Sequence, residues 1–350
     1  MNASDAIKSE IIDNIGIIRG MNPPVNALSH SVRTGLVDSL AAFEANKNVE
    51  GIILIGEGKT FFAGADISEF GKPMQSPDLN GVIKNFENSS KPIVAALHGT
   101  PLGGGLELAM GCNYRVAVNS TKLGLPEVKL GIIPGAGGTQ RLPRLAGIEK
   151  SLSMITSGIP VIAADALSYG ILDEIYDNSL LANATNFIKA KLNQKTHPIV
   201  RELKDKISNI NEEIFDTYED KIKKKYRGRN SPLCAIKAVK ASTLNNFDEG
   251  LKKERELFKE CHDSNESSSL IHMFFSERQA LKIPDISKEV AVMSINSAAV
   301  IGCGTMGGGI AMNFANSGIP VIVIENSQES LNKGLKIIEK NYSSTVSKGR

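Results

Sequence analysis

The stretch Leu97-His98-Gly99-Thr100-Pro101-Leu102-Gly103-Gly104-Gly105-Leu106-Glu107-Leu108-Ala109-Met110 decides how the chain is read. The apolar run Pro92 to Leu97 has strand character, and a turn with three consecutive glycines ends it. An amphipathic helix start with one acid, Glu107, follows. Without Cβ atoms, backbone N–H groups can crowd against a ligand. A helix opening there adds unpaired donors and the positive end of a dipole. Such a corner can stabilise an oxyanion and sets a carboxylate one turn away. A tight strand-to-helix turn with a solvated glutamate is the plainer alternative for this stretch alone.

Upstream, Ile11 to Ile18 reads as an opening strand, and the Pro-broken turn Met21 to Ser29 follows it. Ser29 is placed to cap a helix over Ser31 to Asn46, which carries Val32, Leu36, Leu40 and Phe43 at helical spacing. Gly51 to Gly56 is a continuous apolar run, as expected of a strand buried on both faces. In Thr60 to Phe70, the small residues Ala63, Gly64 and Ala65 permit close approach of a ligand, and Asp66 can cap the turn after it. Lys72 to Asn80 is a polar loop, either a flap over a pocket or a solvated connection.

Downstream, Tyr114 to Val118 is a short strand, and Leu125-Pro126-Glu127 places a second acid just after a proline. A glycine-dense loop, Gly131 to Gly138, runs into a helix expected to be capped near Thr139. A helix around Ala164 to Gly170, ending at Ile171 to Glu174, closes the unit. Strand–helix alternation from 11 to 175 predicts an α/β domain. Lys195 to Asn230 is rich in charge, and its basic cluster Lys221 to Arg229 reads as a solvated face or as a site for an acidic ligand. Ser231 to Leu281 is helical by period, with His262 and His272 read as packing or surface residues. Lys282 to Asn296 reads as a linker.

Composition narrows the classes of function. With 350 residues, 41% hydrophobic and 22% charged, the chain has room for two domains of ordinary globular character. A net charge of +2 and the absence of tryptophan give no support to nucleic-acid binding. Cys112, Cys234, Cys261 and Cys303 lack metal-ligand spacing, and they fit reduced thiols in a cytosol-like compartment. The first twelve residues lack a secretory core, and no apolar run nears the roughly 20 residues that span a bilayer.

A second motif lies at Ala298-Ala299-Val300-Ile301-Gly302-Cys303-Gly304-Thr305-Met306-Gly307. Its GxGxxG follows an apolar strand and opens a helix, and a second strand ends in Glu325, 23 residues after Gly302. That context is what dinucleotide binding requires, with Glu325 accepting from a ribose hydroxyl and thereby favouring NAD over NADP.

Phe62-Ala63-Gly64-Ala65-Asp66-Ile67, Gly103 to Leu108, Leu125-Pro126-Glu127 and Gly131 to Leu142 resemble the enoyl-CoA hydratase/isomerase (crotonase) superfamily over residues 10 to 190. The resemblance implies a spiral of ββα units, acting as an oligomer or within a larger chain or thiolase complex. It implies an acyl-CoA thioester as substrate, with no cofactor beyond the coenzyme A the substrate carries. By the same resemblance the N–H groups of Ala65 and Gly104 form an oxyanion hole, and Ala63, Asp66, Ile67 and Gly103 line the substrate. Glu107 then activates water and Glu127 exchanges the proton at carbon 2. Both acids together match the hydratases, whereas Glu127 alone suits Δ3–Δ2 isomerisation.

Gly304 to Ile310 resembles the start of a 3-hydroxyacyl-CoA dehydrogenase domain, with Gly302, Gly304, Met306, Gly307 and Glu325 as its NAD contacts. The order of segments looks like the multifunctional fatty-acid β-oxidation enzymes. It implies a crotonase-like core over 1–190, a helical extension over 191–281, a linker over 282–297 and an incomplete Rossmann domain over 298–350. Arg350 then falls in an unfinished nucleotide-binding unit, and the chain reads as the N-terminal part of a longer enzyme. The compartment implied is a bacterial cytoplasm, or a peroxisome in a eukaryote. Mainly isomerase chemistry and a non-catalytic acyl-CoA-binding module are the two rival readings.

Overall fold

The computed structural model describes residues 6–347 except Phe70, Lys72, Met74, Asn245 and Lys288. Phe70, the first residue of the Lys72 to Asn80 loop, and Arg350 therefore lie outside the described residues. The chain divides into two compact units, one ending at Leu281 and one beginning at Lys282.

The first unit is built on a six-stranded sheet in the order β1-β2-β3-β4-β5-β8. Its strands are β1 (Ile7–Ile12), β2 (Ile15–Gly20), β3 (Gly51–Gly56), β4 (Ile93–Leu97), β5 (Tyr114–Val118) and, after two short strands, β8 (Glu174–Tyr176). The pair β1 and β2 is antiparallel, and every later neighbour is parallel. The crossovers carry helices α1 (His30–Ala45), α2 (Leu79–Glu87) and α3 (Gly104–Met110).

Two sequence expectations change here. The opening strand is a hairpin, because Asp13 and Asn14 both take positive φ (48° and 65°) and turn the chain back. The closing segment Ile171 to Glu174 leads into a strand: α6 (Ala163–Tyr169) stops at the left-handed Gly170, and Glu174–Tyr176 pairs with β5. A smaller correction falls at Ser29, which occupies the cap position of α1 but makes no side-chain cap bond.

Period-two alternation buries both faces of the sheet. Ile17, Ile53, Val94 and Val116 pack with Phe187 and Ile188 of α7 (Leu180–Lys191) on one side. Ile18, Leu54, Ala95 and Ala117 face the larger core on the other. Beside the sheet lies a second, much reduced layer. Leu28 bridges Ala65, Leu102 bridges Gly124, and β6 (Lys122–Leu123) pairs with β7 (Val161–Ile162). These short pairings bring the Ala65 backbone close to Gly104, 3.3 Å from where its Cβ would stand.

Helices α4 (Gly138–Ala146), α5 (Ile148–Ser157), α8 (Glu213–Lys225), α9 (Ser231–Ala241), α10 (Phe247–His262) and α11 (Asn265–Ala280) complete the unit. Val200, Phe215, Ile222, Cys234, Val239 and Leu257 belong to the same apolar core as the sheet. The region 191–281 is therefore packed into the sheet unit rather than beside it. The basic cluster Lys221 to Arg229 is mostly exposed, with Lys223 paired to Glu219 one helical turn away.

The second unit pairs β9 (Ala298–Ile301) and β10 (Val321–Ile324) in parallel, with α12 (Thr305–Asn316) between them and α13 (Gln328–Val346) after them.

Candidate active site

A cavity of about 1540 Å³ opens in the first unit. The Gly64 to Ile67 segment, the Leu102 to Gly104 corner, Glu107 and Glu127 line it, and α10 and α11 close its far side with Phe258, Met273 and Phe274. Ala63, Ala65, Asp66, Ile67, Gly103, Gly104, Glu107 and Glu127 all reach this one cavity.

The glycine corner is built from close approach. Gly103 has φ +51°, and a Cβ on it would stand 2.8 Å from Glu127 Oε1. A Cβ on Gly104 would lie 2.7 Å from Leu79 Cδ2 and 3.3 Å from Ala65 N. A Cβ on Gly105 would collide with the Phe62 carbonyl oxygen at 1.8 Å. Small residues at these positions therefore bring the backbone of 64–65 against the start of α3. Asp66 caps its own turn, accepting from the Ser68 N–H at 2.9 Å. Arg33 secures the same loop by donating to Glu69 Oε2 and to the Leu28 and Pro77 carbonyls, each at 2.8 Å.

Glu107 is 3% exposed, and its Oε1 accepts from the N–H groups of Ala136 and Gly138, both at 2.8 Å. The glycines of 135–138 have individual reasons. A Cβ on Gly135 would strike the Phe258 ring, one on Gly137 would strike Arg141, and one on Gly138 would approach Glu107 Oε1 to 2.8 Å. Glu127 opens the 3₁₀ turn Glu127–Leu130, and its Oε2 is buried with no hydrogen-bond partner.

Burial pushes both acids above the usual carboxylate range, but unequally. The two N–H donors and the charges of Arg141 and Arg255 oppose the rise at Glu107. At Glu127 burial is joined by the like charge of Glu107, and its carboxyl stands well above its ordinary value. Adjacent carboxylates whose environments separate their proton affinities can divide base and acid roles.

Sequence reasoning missed three contributors. Glu254 of α10 is 1% exposed and accepts from the N–H groups of Gly137 (2.7 Å) and Thr139 (3.0 Å) and from Thr139 Oγ1 (2.5 Å). This corrects the expectation of a cap near Thr139: Gly137 is the N-cap of α4 without a side-chain bond, and Glu254 supplies the acceptor from outside. Burial and the charge of Glu107 push Glu254 up to about 8. Glu87 and Arg141 form a buried two-pronged ion pair, both contacts at 2.8 Å, and Arg141 also donates to the Ala136 carbonyl. The aromatic wall from α10 and α11 is the third. One signal for Glu254 was available, since it falls in the inward stripe Leu251, Glu254, Leu257, Cys261, where a charge is out of pattern.

In the second unit, Gly302 takes φ +94°, and a Cβ on Gly307 would lie 1.8 Å from the Gly302 carbonyl oxygen. Space above Gly304 is open. Glu325, at the end of β10, accepts from the Cys303 N–H at 2.6 Å and the Asn326 N–H at 3.2 Å, and Met306 is exposed. An open glycine turn entering a helix, with an acid at the next strand end, fits a dinucleotide.

Comparison with known proteins agrees with this geometry. The enoyl-CoA hydratase/isomerase family model matches residues 10–223, and the NAD-binding domain of 3-hydroxyacyl-CoA dehydrogenase matches residues 297–350. The chain belongs to the enoyl-CoA hydratase/isomerase family and carries, after that domain, the beginning of an NAD-binding dehydrogenase domain. It is 38% identical over 346 residues to the peroxisomal bifunctional enzyme of Cavia porcellus, covering 96% of this chain and 48% of that protein. It is 35% identical over 352 residues to the glyoxysomal fatty acid beta-oxidation multifunctional protein MFP-a of Brassica napus, covering 97% and 49%. The chain thus spans about half the length of the curated relatives it matches. Among solved structures, enoyl-CoA hydratase subunit I of Geobacillus kaustophilus superposes with a TM-score of 0.51 at 26% identity, over 81% of this chain and 98% of that one.

Proposed function

We propose that the first unit hydrates trans-2-enoyl-CoA to 3-hydroxyacyl-CoA in fatty-acid β-oxidation. The observation that carries this reading is the meeting of two buried acids, Glu107 and Glu127, at one cavity beside the Gly103–Gly104 corner. The N–H groups of Ala65 and Gly104 hold the thioester oxygen as charge moves toward an enolate. Glu107, less strongly protonated because two amides support its charge, takes a proton from water, whose oxygen bonds to carbon 3. Glu127 delivers the proton to carbon 2, and return of a proton from Glu107 restores both acids over the cycle. Ala63, Asp66, Ile67 and Gly103 shape the near wall, while Phe258, Met273 and Phe274 supply the apolar wall for the acyl chain.

A second activity, Δ3–Δ2 isomerisation, draws support from the partnerless Glu127 Oε2. A carboxyl oxygen with no hydrogen-bond partner of its own is free to carry a proton between carbons 2 and 4.

In the second unit, Gly302, Gly304, Met306, Gly307 and Glu325 would hold NAD for oxidation of the 3-hydroxyl by the longer enzyme. We assign the catalytic core to 1–190, its closing wall to 191–281, the connection to 282–297 and the NAD unit to 298–350. Assembly as an oligomer or with a thiolase, and a bacterial cytoplasmic or peroxisomal setting, follow the same reading. The names of the eukaryotic relatives support the latter compartment.

The test is turnover of a short trans-2-enoyl-CoA by the whole chain. Loss of conjugated thioester absorbance with formation of 3-hydroxyacyl-CoA is expected. Tight acyl-CoA binding without turnover would favour a binding module instead.

A further inference from the structure

Four consecutive amides, 136 to 139, are divided alternately between two buried carboxylates from distant parts of the chain. Ala136 and Gly138 donate to Glu107 Oε1, while Gly137 and Thr139 donate to Glu254 Oε1 and Oε2. Gly137 is left-handed and Gly138 opens α4, and through this turn the successive N–H groups alternate between the two acids, so fixing one pair fixes the aim of the other. Glu107 comes from α3 and Glu254 from α10, 147 residues later.

We propose that Glu254 is a positioning residue for the hydration step: by holding Gly137 and Thr139 it aims the other two amides at Glu107 and so sets the water-activating carboxylate. Its side chain does not line the cavity, so it acts through the backbone and not on the substrate. Each of its oxygens is required as an acceptor. An amide side chain of the same shape offers one oxygen and would turn an NH₂ toward an N–H. The surroundings add a charge effect. Glu254 faces Glu107 on α3 and the Thr139 end of α4, and Glu127 stands close enough to feel its charge. Arg141, held by Glu87 of α2, and Arg255 beside it on α10 supply the opposing positive charge at Glu107. The inference rests on the hydratase reading for its kinetic consequence, but not for its structural one.

The experiment uses the full chain with Glu254→Gln and Glu254→Ala. Hydrogen exchange of the segment 134–140 should rise about tenfold in both variants while the sheet stays protected. Hydration kcat should fall about 10- to 100-fold with KM near wild type, as a small misplacement of a reacting group predicts. Isomerisation of a 3-enoyl-CoA, which runs through Glu127, should fall much less. The wild-type kcat/KM profile should also bend near pH 8, and the Glu254→Gln profile should lose that bend. Equal loss of hydration and isomerisation in step with the folded fraction would overturn the proposal, because a purely structural role does that. Unchanged exchange at 134–140 would overturn it too, whatever the activity. Absence of hydration by the wild type would instead refute the functional reading, and the exchange result would still decide the positioning role.

Discussion

Replacing Glu107 with glutamine tests the site most directly, because the structure separates what the variant keeps from what it loses. The amide oxygen can take the place of Oε1 and accept from Ala136 and Gly138, so the loop stays anchored. Hydrogen bonds to a charged group contribute about 1.5–3 kcal/mol and neutral ones about 0.5–1.5 kcal/mol, so two weakened bonds cost roughly 2–3 kcal/mol of stability. Relief from burying a charge offsets part of that cost. Removal of a general base lowers the rate by about 10²–10⁴, equivalent to roughly 2.7–5.4 kcal/mol in the barrier. The variant should therefore fold with a modestly lower melting temperature, bind acyl-CoA, and hydrate a short trans-2-enoyl-CoA at least a hundredfold more slowly. Spectrophotometric hydration, acyl-CoA titration calorimetry and thermal unfolding measure the three quantities separately. Isomerisation of a 3-enoyl-CoA by the same preparation should persist. Hydration within about threefold of wild type in a folded, ligand-binding Glu107→Gln protein would refute the assignment of the base.

Three other variants examine the remaining parts. Glu127→Gln should lower both hydration and isomerisation by about 10² or more with acyl-CoA binding kept, and unchanged turnover would sink the two-acid scheme. Because burial and then the charge of Glu107 raise the Glu127 pKa, its acid form persists to higher pH than a free glutamate's. Wild-type hydration kcat/KM should fall as pH rises through that raised value, which a pH–rate profile reads directly. Gly104→Pro removes one proposed oxyanion donor, and its ring also presses on Leu79 Cδ2 and the Ala65 N–H, so turnover should drop by about 10² or more, with thermal unfolding separating a folded from a disrupted variant. Full activity there would place the hole elsewhere. Arg141→Met should strand the buried Glu87 carboxylate, costing about 3–5 kcal/mol in chemical denaturation, and a smaller effect would mean that water reaches Glu87.

The pieces of this site that local pattern can encode were legible. The all-apolar run of β3, the glycine corner and the helical face of α1 carry their own periodicity, and each stands where the pattern puts it. The hairpin at Asp13-Asn14 had a signal in its two turn-forming residues, but the alternation around it was weak enough to read as one strand. Strand β8 has three residues, too few for any period. Pairings over long separations were beyond reach for a different reason. Nothing near Gly137 announces a carboxylate from α10, and nothing near Glu87 announces Arg141, because both pairs are made by packing. The resemblance named Glu107 and Glu127, while local chemistry alone left open whether they meet.

The alternating grip on 136–139 also bears on the order in which the molecule is completed during synthesis. The sheet has all its strands once Tyr176 has been made, but Glu254 follows 78 residues later. At roughly 5–20 residues per second, the ribosome takes about 4–16 s to supply it. During that interval the amides of Gly137 and Thr139 lack their acceptor and the cavity lacks its aromatic wall. A chain halted at Tyr176 would have its strands without the acceptor for Gly137 and Thr139 or the aromatic wall, so the site is complete only once α10 and α11 have been made.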